Sequence, residues 1–141
     1  MRSGPSVSLV ISFLLIMGIY ACTPTDKAFD ASDYERGTGL PFPISARVLK
    51  GETRDWDFHG DHDACAIVEL SRADYESLLT EAIKNPSKGE RPTLNCSPDM
   101  NYELSKYSVE LIQYASSEGG WAREWSLARD QPIVLIRYSS W

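Results

Sequence analysis

Ile133-Val134-Leu135-Ile136-Arg137-Tyr138 is the stretch of sequence that decides the fold. Four branched apolar residues follow one another without polar alternation, which is typical of a strand buried at the centre of a sheet. The polar segment Arg129–Pro132 precedes it and is predicted to be a turn, with proline at its end. The remaining segments are therefore assigned as strands beside this one or as helix packed against it.

Four other stretches are predicted to be strands. Residues 44–50 and 107–115 alternate apolar and polar side chains, and residues 65–70 form a compact apolar run. Residues 121–128 lie between two short turns, which favours a strand. Trp121 and Trp125 are also four positions apart, which would place them on one face of a helix, so that alternative remains open. We expect residues 59–63 to form the turn of a hairpin.

One helix is expected between the second and third strands. Ser71 is a good N-cap, and Asn85-Pro86 ends the segment because proline cannot continue a helix. Five apolar residues share one face at helical spacing: Tyr75, Leu78, Leu79, Ala82 and Ile83. Residues 87–101 are rich in turn-forming residues and are predicted to be a loop. The result is a two-layer α+β domain in the order β-β-α-β-β-β, with a mostly antiparallel sheet of about five strands.

The amino terminus has the pattern of a secretory signal. One arginine precedes an uncharged apolar run from Val7 to Ala21, which at about 15 residues is shorter than a membrane-spanning helix. The run ends in Ile19-Tyr20-Ala21-Cys22, which resembles the lipobox of bacterial envelope lipoproteins. That resemblance implies cleavage before Cys22 and a lipid on its sulfur, whereas a short uncleaved anchor is the alternative. Thr23 is not the aspartate that retains Gram-negative members at the inner membrane, so the outer membrane is favoured in such an organism.

Three segments follow from this interpretation: a signal peptide over residues 1–21, a flexible tether over 22–39 and a single domain over 40–141. The tether prediction rests on the polar composition of 23–39. The formal net charge of −6 argues against nucleic acid as a partner, because such proteins cluster lysine and arginine. Contact with the membrane is therefore expected through the lipid on Cys22.

The chain has three cysteines, an odd number that needs an explanation in an exported protein. If Cys22 carries lipid, Cys65 and Cys96 are free to form a disulfide in an oxidising compartment. Two separate buried thiols are the alternative. The spacing contains no CxxC pair, so neither a zinc ribbon nor a thioredoxin-type site is indicated.

Both histidines of the chain lie in one acidic segment, which gives a candidate metal site. Its residues are His59, Asp61, His62 and Asp63, and imidazole and carboxylate are common ligands of zinc and copper. A solvated hairpin turn is the simpler interpretation, because aspartate and glycine are common turn residues. No catalytic motif and no cofactor-binding pattern is present in the sequence.

Aromatic residues are numerous, and most are expected to pack in the core. Trp121-Ala122-Arg123-Glu124-Trp125 is nevertheless the best candidate for partner binding, because tryptophan and arginine are frequent interface anchors. The expected function is a membrane-tethered, non-catalytic binding module of inhibitor, immunity or adaptor type, with a protein or cell-wall partner. A metal-binding protein or metal-dependent enzyme that uses His59–Asp63 is the alternative.

Overall fold

A computed structural model describes residues 25–56 and 60–141, without side-chain detail at positions 25, 26 and 56. The elements are β1 Thr25–Lys27, α1 Ala31–Thr38, β2 Arg47–Trp56, β3 Asp61–Glu69, α2 Arg72–Lys84, α3 Pro98–Ser105, β4 Val109–Ser117, β5 Trp121–Ala128 and β6 Ile133–Ser140. The proposed signal and Cys22 lie outside the described residues. Across the described ranges, no helix has the length and apolar character needed to cross a membrane.

The strands form one antiparallel sheet in the order β1-β2-β3-β6-β5-β4. Strand β6 lies between β3 and β5, and its consecutive apolar residues alternate between two core clusters. Val134 and Ile136 face one cluster, whereas Ile133 and Leu135 face the other. The uninterrupted apolar run is thus explained by burial on both faces of the sheet. The α+β class, the antiparallel sheet and the strand over residues 121–128 are confirmed.

Helices lie on both faces of the sheet. The larger cluster contains residues of α1 and α2, such as Tyr34 and Tyr75, and we call this side the α1–α2 face. The smaller cluster contains Met100 and Leu104 of α3, and we call this side the α3 face. The sequence predicted one helix, and the structure has three within the described residues.

The prediction of a flexible tether is wrong for residues 25–39. Strand β1 pairs with β2, and α1 packs on the sheet with Tyr34 only 1% exposed. Tyr34 also contacts Phe42 edge-on at a ring distance of 5.1 Å, and burial raises the pKa of its hydroxyl to about 12. Phe29, just before α1, is also buried. It packs against Gly51 of β2, where a Cβ would lie only 2.5 Å from the Phe29 side chain. The domain therefore begins by Thr25 and not at residue 40.

The segment 87–101, predicted to be a loop, contains the start of α3. Ser97 accepts a hydrogen bond from the Met100 amide, and Pro98 occupies the first turn, where a proline is tolerated. The predicted disulfide between Cys65 and Cys96 is present and ties this segment to β3. Strand β2 shifts register between Val48 and Lys50 and leaves Leu49 exposed.

Residues 44–46 were included in the first predicted strand but precede β2, and Ile44 is fully exposed. Of the three apolar residues that predicted this strand, Ala46 and Val48 pack against the core, whereas Ile44 does not. In the chain after β2, residues 61–63 belong to β3, so the predicted turn over 59–63 is wrong for that part.

Replacing Tyr34 with alanine tests whether α1 belongs to the domain. Because the side chain is fully buried, we expect a loss of roughly 3–5 kcal/mol in the free energy of unfolding. Glu35→Ala on the exposed side of the same helix is the matched control and should change it by less than about 0.5 kcal/mol. Chemical denaturation measures both variants, and equal stability of the two would mean that α1 does not pack on the sheet.

Candidate functional site

The described members of the predicted metal cluster do not converge. Asp61, His62 and Asp63 are consecutive residues of β3, and consecutive side chains of a strand point to opposite faces. His62 points to the α1–α2 face, whereas Asp63 accepts a hydrogen bond of 2.5 Å from the Ser139 hydroxyl. Three adjacent strand residues arranged in this way cannot share one ion. His59 lies outside the described residues.

His62 is a buried cross-link between α1 and the sheet. Its Nε2 lies 3.0 Å from the Asp33 Oδ1, and its Nδ1 contacts the Asp55 carboxylate. The exposed fractions are 7% for His62 and 1% for Asp33. Since both ring nitrogens already have carboxylate partners, neither is open to a metal ion or to a nucleophile.

Asp33 also holds the first turn of α1. Its Oδ2 accepts a hydrogen bond of 2.9 Å from the Asp30 amide, while the Asp30 side chain accepts from the amides of Ser32 and Asp33. This reciprocal pattern is a capping box. The Asp30 pKa falls to about 2, first because of the hydrogen bond from Lys27 and then because of the amide donors. Both carboxylates therefore stabilise the start of the helix.

Another group of potential metal ligands consists of Glu52, Cys65 and Cys96. The two sulfur atoms form the disulfide, and it is the free thiolate that binds metal ions. Glu52 accepts hydrogen bonds of 2.7 Å from the Ser97 amide and 2.5 Å from the Ser97 hydroxyl. This group therefore fixes the start of α3 and is not a metal site.

The candidate binding residues Trp121, Arg123 and Trp125 share one side of β5, because they occupy alternate positions of the strand. Trp125 is only 7% exposed and belongs to the core, so it does not provide the exposed anchor that the sequence predicted. Trp121 and Arg123 are half-buried. The guanidinium carbon of Arg123 lies 5.0 Å from the centre of the Trp121 ring, within the range of a cation–π contact.

Arg123 and Trp125 line a cleft of about 270 Å³ between the helices and the sheet, which we call the Arg123 cleft. Its walls come from the end of α1, from α2 and from strands β4 and β5. The full lining is Thr38, Gly39, Leu40, Leu78, Glu81, Ala82, Asn85, Gln113, Tyr114, Ala115, Arg123 and Trp125. Arg123 is the one basic side chain in this lining, and it therefore supplies the positive charge of the cleft.

Gly39 brings the end of α1 against Arg123. The residue caps the helix in the left-handed conformation, with φ of 74°, and its amide donates a hydrogen bond of 2.8 Å to the Glu35 carbonyl. A Cβ at Gly39 would lie 2.6 Å from the guanidinium nitrogens of Arg123. Glycine is therefore favoured by the left-handed backbone conformation, and a larger residue would in addition displace the flexible end of Arg123.

Arg123 lacks an acidic partner among the residues that the structure describes. Burial lowers the pKa of its guanidinium, and the nearby Tyr138 opposes that shift without cancelling it. The partial negative charge at the carboxyl end of α1 gives some compensation. The neighbouring Glu124, on the α3 face, shows the usual arrangement, since this buried carboxylate contacts both Arg91 and Arg137.

A larger cavity, with a volume of about 500 Å³, lies on the α3 face beside the disulfide. Glu52 and Asp63 in its wall already accept hydrogen bonds from Ser97 and Ser139. The same lining also contains the cations Lys27 and Arg54, so its charged groups are of both signs. Volume alone therefore does not identify the functional site, and the charge arrangement favours the smaller Arg123 cleft.

We expect Asp33→Asn to separate a structural from a metal-binding role of His62. Loss of the buried carboxylate partner of His62 should lower the free energy of unfolding by roughly 2–4 kcal/mol. Asp61→Asn, at a half-buried position next to His62, is the control and should stay within about 0.5 kcal/mol of the parent. Calorimetric titration with zinc on both variants completes the test. Tight zinc binding by Asp33→Asn that is lost in Asp61→Asn would contradict the structural assignment.

No protein-family model, curated protein or solved structure matches this chain. Function is therefore inferred from the geometry and charge of the Arg123 cleft. The sequence indicated Arg123 and Trp125 of this cleft, together with Trp121 beside it, but not the contribution of α1.

Proposed function

We propose that this chain is an exported, lipid-anchored binding protein without catalytic activity, and that it holds its partner at the Arg123 cleft. One observation carries the proposal. Arg123 is a half-buried cation at the wall of a cleft that is lined by both polar and apolar side chains, and it has no carboxylate partner in the described part of the chain. Trp121 stacks beside it, and arginine with tryptophan is a frequent composition of interface anchors.

Partial burial of Arg123 carries a desolvation cost. A charged group that leaves water loses hydration, and this loss is usually compensated by an ion pair or a hydrogen bond. Glu124 has that compensation from two arginines. Arg123 contacts the Trp121 ring and lies beside the carboxyl end of α1, but it has no ion-pair partner among the described residues. An anionic group of a partner would supply the missing pair, and the apolar wall would strengthen the interaction by excluding water.

The position of β1 changes how the proposed anchor would present the domain. Only Thr23 and Pro24 lie between the lipid-carrying Cys22 and the first residue of β1. A fully extended chain of that length spans at most about 11 Å. The domain would therefore lie against the bilayer surface, with β1 and the adjacent edge of the sheet nearest to the lipid headgroups. The proposed location is the cell envelope, at the outer membrane in a Gram-negative organism.

The function is tested by crosslinking in living cells of the native host, followed by purification of the tagged full-length protein from detergent-extracted membranes. We expect the parent to retain a crosslinked envelope partner. The amount of partner recovered with Arg123→Gln should be at least tenfold lower. The charge-matched control Arg129→Gln should capture the partner normally, because Arg129 is exposed and lies outside the cleft.

The intact mass of the same preparation should show a chain that begins at Cys22 and carries acyl groups. Equal capture by Arg123→Gln and the parent would contradict a binding role of the cleft. An unmodified chain that begins at Met1 would contradict the lipid anchor and leave the cleft untouched. The two parts of the proposal are thus tested separately.

A further inference from the structure

We propose that the Arg123 cleft recognises the carboxyl terminus of a polypeptide, with the carboxylate at Arg123 and the last, apolar side chain against the cleft wall. The inference rests on the proposed function and names the chemistry of the partner. It depends on the shape of the guanidinium group, on the charges around it, on the size of the cleft and on its position beside the edge of the sheet.

The charge of the cleft favours a single negative charge. Both helices that border it do so with their carboxyl ends, since α1 ends at Thr38 and α2 at Lys84. Helix carboxyl ends carry a partial negative charge and repel anions. The Glu81 carboxylate lies in the same lining. These three groups repel every anion, but they repel a doubly charged phosphate about twice as strongly as a singly charged carboxylate. One carboxylate also balances the one guanidinium of the cleft.

The geometry of arginine also favours a carboxylate. Its planar group presents parallel N–H donors that match the two oxygens of a carboxylate. Gly39 and the Trp121 ring contact the guanidinium and limit its orientation. Phosphate sites, in contrast, usually use several cations or the amino end of a helix. The cleft offers neither of these among its lining residues.

The apolar wall and the volume fit one small side chain. Leu40, Leu78 and Ala82 line one side, and Trp125 lines the other. The volume of about 270 Å³ is below the range of roughly 300–1,000 Å³ that is typical of sites for larger small molecules. A terminal residue with an aliphatic side chain would bury its apolar atoms there while its carboxylate meets Arg123.

Strand β4 gives the preceding residues of such a ligand a path out of the cleft. It is the last strand of the sheet and pairs only with β5 among the described strands. Ser87 covers the amide of Tyr114, and the continuing segment Ala115–Ser117 is the part of the edge beyond it. An extended peptide can add to an open edge through backbone hydrogen bonds. This position favours a polypeptide over a free acid.

The test uses the full-length protein in detergent, with the indole N–H signals of Trp121 and Trp125 followed by NMR. Four probes are compared: acetyl-Gly-Ala-Leu with a free carboxylate, the same peptide as its amide, 4-methylpentanoate and inorganic phosphate. We expect the free-acid peptide to shift both signals saturably and to bind at least tenfold more tightly than each other probe. Arg123→Gln should remove the preference for the acid, and Arg129→Gln should retain it.

Equal binding of acid and amide, or no binding of either, would overturn the inference even if Arg123→Gln fails to fold, because that comparison uses the parent protein. Stronger binding of phosphate would overturn the carboxylate assignment. Equal binding of 4-methylpentanoate would overturn the peptide assignment. If all probes fail while cellular capture still depends on Arg123, only this inference falls. If capture also becomes independent of Arg123, the proposed function falls with it.

Discussion

The contact between Asp33 and His62 is the interaction on which the rest of the structure depends. It joins a buried carboxylate of α1 to a buried imidazole of β3 at 3.0 Å, and the same carboxylate completes the capping box of the helix. Removal of either side chain would break this buried contact and destabilise the domain, because a buried polar group would lose one of its partners. His62 would then retain only the Asp55 carboxylate, or Asp33 only the Asp30 amide, among the contacts described above. The position and the amino-terminal end of α1 are therefore fixed together.

The docked helix forms one wall of the Arg123 cleft. Because α1 ends in a left-handed glycine, its carboxyl end can approach the guanidinium closely. The two faces of the sheet then differ in their electrostatics. On the α3 face, Glu124 is neutralised by Arg91 and Arg137, whereas on the α1–α2 face Arg123 has no such counterpart in the described chain. This difference, and not the size of the cavities, is the basis for the proposed anion site at Arg123.

Sequence patterns predicted five of the six described strands but missed β1. The uninterrupted apolar run of residues 133–138 indicated the central strand, and helical spacing indicated α2, although Ile83 of its apolar stripe is exposed. Sequence patterns did not predict α1, because that helix buries Asp33, Tyr34, Gly37 and Thr38, which include few apolar side chains. The signals that could have revealed it were Asp30 and Asp33 at capping-box spacing and Gly39 after the last turn. Likewise, His62 lies in a polar segment and its buried partner Asp33 is distant in sequence, so a turn was the natural but incorrect prediction for residues 61–63.

Amide hydrogen exchange in α1 tests the central claim most directly, because both the fold and the cleft require a docked helix. The amides of Tyr34 and Gly39 donate to the carbonyls of Asp30 and Glu35 within the helix and its cap. The account predicts that they exchange nearly as slowly as amides of the central strand β6, since the helix should open only with the domain. Exchange at the rate of an unstructured chain over residues 31–39 would contradict it.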